Sequence, residues 1–166
     1  MKRQWRKRRK VEASLQSLIE ILIDSQDGLV TIGQKLKDAT IRRYFFAESL
    51  KRAQFIEELR DLFDQLELGK PRNSGSNVGA LHRTWARFKL RLGGSDSELL
   101  VTAERGELAI VQLYDKVIRS TLPECIYEIL MSQAKHIRMA YSYIKLSREG
   151  NLVRNSRYPK FRPTGT

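Results

Sequence analysis

The chain has a single cysteine, Cys125, and two histidines, His82 and His136, among its 166 residues. One cysteine excludes an internal disulfide and every Cys-rich metal spacing. It fits a small core or near-core residue in a reducing cytosol. Two histidines leave little imidazole for a metal centre, and neither follows a glutamate at the Glu-x-x-His spacing. No run approaches the ~20 apolar residues that span a bilayer. Met1 to Lys10 has the charged lead of a secretory signal, but the amphipathic Val11-Glu12-Ala13-Ser14-Leu15-Gln16 follows it in place of an unbroken apolar region. No secretory signal and no transmembrane segment are therefore expected, and the expected location is cytoplasmic. There is no phosphate-cradling glycine loop, since Gly93-Gly94 is only a turn signal, and no nucleophile motif.

What the chain does have is positive charge, unevenly placed. The formal net charge is +12. Residues 1–10 hold seven of those charges with no acid, and residues 148–166 hold a net four. Residues 11–147 are therefore nearly neutral. This divides the chain into a basic N-terminal arm (1–10), a folded region (11–148) and a basic, extended or disordered C-terminal tail (149–166) that contains Pro159 and Pro163.

The folded region reads as helices. Leu15, Leu18, Ile19, Leu22, Leu29, Ile32 and Leu36 recur at spacings of three, four and seven, which predicts a helix over 12–37. Gly28 and Gly33 inside it suit close approach of a neighbouring helix. Thr40 can cap a second helix over 41–68, with Tyr44, Phe45, Leu50 or Ala53, Phe55 or Ile56, Leu59, Leu62, Phe63 and Leu66 inward. Gly69 suits the left-handed position after it, and Pro71 stops it. A shorter helix over 77–92 carries Val78, Leu81, Trp85, Phe88 and Leu92. Ser95 or Asp96 caps a helix over 95–121, with Leu99, Leu100, Ala103, Ile110, Leu113, Tyr114 and Val117 on its face. The last helix, over 123–148, turns Ile126, Ile129, Leu130, Ile137, Ala140, Tyr141 and Ile144 inward. Two helix pairs joined by one long crossover give the outline of an all-α, ferritin-like four-helix bundle with an extra short helix in the crossover.

A resemblance supports that outline. The ordered set Arg52-Ala53-Gln54-Phe55, Glu58-Leu59, Ser74-Gly75-Ser76, Gly79-Ala80-Leu81-His82-Arg83-Thr84-Trp85, Glu104-Arg105-Gly106-Glu107, Tyr114 and Gln133 resembles a bacterial family of ferritin-like bundle proteins of unknown function. The resemblance implies the fold and a stress-related, cytoplasmic role. It implies little about activity.

A ferritin-like fold poses the question of a metal site. A di-iron centre takes one Glu from each of two helices and a Glu-x-x-His from each of the other two. Here Glu104 and Glu107 share one helical face at i, i+3, and Gln133 and His136 repeat the spacing with an amide in place of a carboxylate. Glu48 is followed by Lys51, and Asp27 lies near Asp24 and Glu20. The fullest candidate set for iron or zinc is Asp27, Glu48, Glu104, Glu107 and His136. The competing expectation is that these groups bond across helices or pair with Lys51, Arg52 or Arg105, with no cofactor. The missing Glu-x-x-His favours that expectation. His82, one turn before Trp85, reads as a packed or capping residue, and Trp85 as an anchor for the crossover helix.

The basic arm Lys2, Arg3, Trp5, Arg6, Lys7, Arg8, Arg9 and Lys10 suits a polyanion such as nucleic acid. Its cations neutralise phosphates, and Trp5 can stack on a base or sit at a lipid headgroup boundary. Arg154, Arg157, Tyr158, Lys160, Phe161 and Arg162 repeat the theme. Ile21, Ile23, Phe46 and Val111 fall off the main stripes and would suit a homo-oligomer surface. The expectation is a non-enzymatic bundle that acts by association, with a metal-binding or redox protein as the alternative.

Overall fold

In a computed structural model of the chain, residues 2–72 and 94–157 are described, with side chains for 6–72 and 94–151. Among these residues there are four helices: α1 (Lys2–Lys35), α2 (Ala39–Gln65), α3 (Asp96–Ile118) and α4 (Glu124–Arg157). Among the described residues there is no strand. The class is all-α as expected. The expected crossover helix at 77–92, with His82 and Trp85, lies outside the described residues.

Cross-helix contacts fix the directions. Gly33 of α1 lies against Phe45 and Phe46 of α2, and Arg8 reaches Glu67 just past its end, so α1 and α2 are antiparallel. Ser25 meets Glu107, and Asp96 meets the turn at Lys37 and Asp38, so α3 is antiparallel to α1. Arg138 pairs with Asp115, and Arg148 with Glu104, so α4 runs back along α3. α1 and α4 therefore point one way, α2 and α3 the other. The α1–α2 and α3–α4 pairs are closely packed, and the α2–α4 seam is the most open.

All seven apolar residues expected inward on α1 are buried. So are Leu99, Leu100, Ala103, Ile110, Tyr114 and Val117 of α3, and Ile126, Leu130, Ile137, Ala140 and Ile144 of α4. Full burial of each Leu or Ile contributes about 1.5–3 kcal/mol before entropy is counted. The α2 stripe departs from expectation: Leu50 is 72% exposed, and the inward positions between Phe45 and Phe55 are Glu48, Ser49 and Arg52. Ile21, Ile23 and Val111 pack at the core margin, while Phe46 stays exposed and its ring covers Gly33. A Cβ at Gly33 would meet the edge of that exposed ring at 2.9 Å and Phe45 Cβ at 3.4 Å, so α2 passes close to α1 here. Cys125 is exposed in the first turn of α4, not near the core.

The helix ends differ from expectation for identifiable reasons. α1 begins at Lys2 rather than Glu12, and its first turns are held where the Arg8 guanidinium donates to the carbonyls of Leu66 and Glu67. A cation there also complements the C-terminal end of α2. Asp38, not Thr40, caps α2: its carboxylate accepts from the backbone N–H of Thr40 and Ile41. Ser95 caps α3 in a reciprocal box with Glu98. Asp96 is thereby left to accept from the N–H of Lys37 at 3.0 Å and of Asp38 at 2.9 Å, tying the α1–α2 turn to the start of α3. The left-handed residue after α2 is Glu67 (φ 50°), not Gly69. The N–H of Leu68 bonds the Phe63 carbonyl and that of Glu67 bonds the Asp64 carbonyl, the Schellman pattern. α4 continues to Arg157, past the expected end at 148, so the first part of the basic tail extends the helix.

Candidate functional site

The uninterrupted 3–4 spacing of α2 carries Glu48, Ser49 and Arg52 into the interior between Phe45 and Phe55. Arg52 is fully buried. Its Nη1 donates to Glu48 Oε2 at 3.1 Å, its Nη2 to Glu107 Oε2 at 2.6 Å, and its Nε to Ser25 Oγ at 3.3 Å. The Ser25 hydroxyl in turn donates to Glu107 Oε1 at 3.4 Å. His136 Nε2 lies 3.1 Å from both carboxylate oxygens of Glu48. Each of the four helices thus supplies at least one member. The guanidinium occupies the point where the carboxylates of α2 and α3 converge.

Charge decides the chemistry of this cluster. Burial alone would weaken the Arg52 charge, but Glu107 and then Glu48 outweigh it and hold the guanidinium protonated. Burial pushes the Glu107 carboxyl above its ordinary range; Arg52 opposes that shift and Glu48 reinforces it. Tyr44 is raised as well, first by burial and then by Glu48 and Glu107, which keeps its phenol neutral. It stacks on Tyr143 across the open α2–α4 seam, with ring centroids 3.8 Å apart. The His136 ring is edge-on to Phe55, and its side chain is 33% exposed, so the cluster reaches solvent at that seam.

A second polar node lies one to two turns away along α2. The buried Tyr114 hydroxyl donates to Gln133 Oε1 at 2.7 Å, and the Gln133 amide donates to Glu58 Oε2 at 2.7 Å and to the Phe55 carbonyl at 3.3 Å. Gln133, read from the sequence as an amide in a ligand position, is a hydrogen-bond bridge between α2, α3 and α4. Burial raises the Tyr114 phenol further out of reach of ionisation.

Of the five residues expected to ligate metal, Glu48, Glu107 and His136 come together around Arg52. Asp27 is exposed, and Glu104 pairs with Arg148 instead. Among the described residues no group of three or more His, Cys, Asp or Glu is arranged to hold a metal ion. Lys51 donates to Gln54 and lies over the Phe55 ring. Arg52, foreseen as one of several pairing partners and as part of the resemblance, proves central; Glu58 was named only within the resemblance, and Ser25 was not foreseen. Phase was the available signal. Stepping from Phe45 by three and four residues lands on 48, 49, 52, 55 and 56, whereas Leu50 breaks the phase.

The basic arm is part of α1. Arg6, Lys7, Arg8, Arg9 and Lys10 are exposed, and of these Arg8 is bound to the carbonyls beyond α2. Lys2, Arg3 and Trp5 belong to the same helix, with side chains outside the description. Among the described residues no helix is long and apolar enough to cross a membrane. No match to the chain is found among curated proteins. The family model described as "Domain of unknown function (DUF2383)" matches residues 10–120, more than half of the chain and all of the cluster except its α4 members, and the chain belongs to that family.

Proposed function

We propose that this is a non-enzymatic, ferritin-like bundle protein of the bacterial cytoplasm that acts by associating with a polyanion through its basic N-terminal helix. The observation that carries the reading is the exposure of Arg6, Lys7, Arg9 and Lys10 on an ordered helix, with no ion pair to any described residue. Cations held on a rod and unspent within the fold are available to phosphates. The antiparallel pairs joined by one long link support the ferritin-like assignment, and a stress-related role follows from the resemblance alone.

The interior supports a structural, metal-free role. The Arg52 guanidinium stands between Glu48 and Glu107, neutralising the carboxylates that a pair of ions would otherwise bridge. Asp27 is exposed, and Glu104 pairs with Arg148. These residues do not fit a dinuclear centre. The gathering of Glu48, Glu107 and His136 does favour one alternative, a reduced site for a single iron or zinc ion, which would have to displace Arg52 to form.

Removing residues 1–10 and measuring retention of duplex DNA at low and moderate salt tests the association reading. With about four phosphate contacts, affinity should fall about a hundredfold between 50 and 200 mM salt. The truncated chain should lose most retention at low salt. Equal retention by both chains would reject the reading.

A further inference from the structure

Where α1 begins, it passes over the residues after α2 and the turn between α3 and α4, and a two-part groove lies between them. One part, of about 380 Å³, has Val11, Leu66, Leu68 and Leu122 among its lining, with Lys7 and Arg8 also lining it. The adjoining part, of about 460 Å³, shares Lys7, Val11 and Thr121 and adds Lys10 and two serines. Among the described residues no acidic side chain lines either part. Arg8 is spent on the carbonyls of Leu66 and Glu67, which holds the α1 wall in place. Lys7 and Lys10 have no ion pair to a described residue.

A naked polyanion would use the lysines and leave the apolar floor idle. The two halves together match a ligand that is itself divided, with an anionic head for the lysine and serine half and a hydrocarbon chain for the aliphatic half. We propose that this groove binds a single-chain anionic amphiphile of the fatty-acid class, carboxylate towards Lys7 and Lys10 and chain along Val11, Leu66, Leu68 and Leu122. This deepens the anion-binding reading of the basic helix and rests on it for the head group, while the apolar floor is independent of that reading.

The test is calorimetric titration of the full chain with octanoate, decanoate and dodecanoate, each below its micelle concentration, and with acetate. Each added CH₂ buried is worth about 0.8 kcal/mol, so affinity should climb at least tenfold from octanoate to dodecanoate, with acetate undetected. Leu68→Asp should lose at least tenfold in dodecanoate affinity and keep its DNA retention. Thr121→Trp, which fills the groove without burying a charge, should do the same if Leu68→Asp fails to fold. Lys7→Gln with Lys10→Gln should weaken both ligands. Affinity independent of chain length, or dodecanoate binding unchanged by the groove variants, overturns the proposal. So does binding of phosphatidylglycerol vesicles without binding of monomeric dodecanoate. Loss of the DNA result alone removes the polyanion reading and leaves the groove standing.

Discussion

Arg52 carries the largest single stake in the interior. Replacing it with Met would leave Glu48 and Glu107 facing each other in a buried site, and breaking a buried ion pair from one side costs about 3–5 kcal/mol. The sign of the pH dependence follows from Glu107, whose carboxyl is raised by burial against the lowering effect of Arg52. Without Arg52 it rises further. A carboxyl whose folded pKa exceeds its unfolded one stabilises the fold below the unfolded value and loses that contribution as pH rises through the folded value. The Arg52→Met penalty should therefore shrink as pH falls, as read by urea unfolding across a pH series. Tyr114→Phe removes the donor to the buried Gln133 carbonyl and should cost about 1–3 kcal/mol in the same assay, with the fold unchanged by circular dichroism. The carboxylates and the imidazole of the cluster were legible in the sequence as chemistry-bearing residues. Their partners were less so, because a buried arginine looks like a surface arginine until its helical phase is followed. Gln133 and Glu104 show the converse: a ligand-like spacing says which residues share a face, and the facing helix decides what they bond.

At the level of the helices, the interiors of α1, α3 and α4 were legible and the Ser95 cap of α3 with them, while the other ends were not. Periodicity set the inward faces of α1, α3 and α4 because burial acts on every turn. The ends turn on single hydrogen bonds, where neighbouring residues compete. Asp38 displaced Thr40 as a cap because its carboxylate reaches two backbone N–H groups. Glu67, not the glycine two residues later, took the left-handed position because the Schellman bonds to Phe63 and Asp64 fall there. An L-residue in that conformation costs about 1–2 kcal/mol, which glycine escapes. Glu67→Gly should therefore stabilise the protein by about 1 kcal/mol, read as a higher urea midpoint at unchanged slope, because the contact from Arg8 is to the Glu67 backbone carbonyl and survives the change. The early start of α1 has a similar origin: one of the cations that weaken a free helix, Arg8, gains partners at the end of α2.

Across the whole molecule, two charge distributions coexist. The interior pairs its charges, with one guanidinium answering two carboxylates, whereas Arg6, Lys7, Arg9 and Lys10 near the start of α1 are exposed with no ion pair to a described residue. The paired interior serves folding, and the exposed Arg6, Lys7, Arg9 and Lys10 are available for association. That contrast was legible in part from the sequence, where a nearly neutral middle is flanked by basic ends. What the sequence left open was whether the acids of the middle region would meet a metal or a side-chain cation. At the α2–α4 seam the His136 side chain is 33% exposed, so the cluster meets solvent there. The most direct test of the central claim is titration of the purified chain with ferrous iron and with zinc, followed by desalting and metal analysis. An Arg52-neutralised centre predicts far less than one ion per chain for either metal, and one or two ions retained per chain, lost on Glu48→Gln or Glu107→Gln, would contradict it.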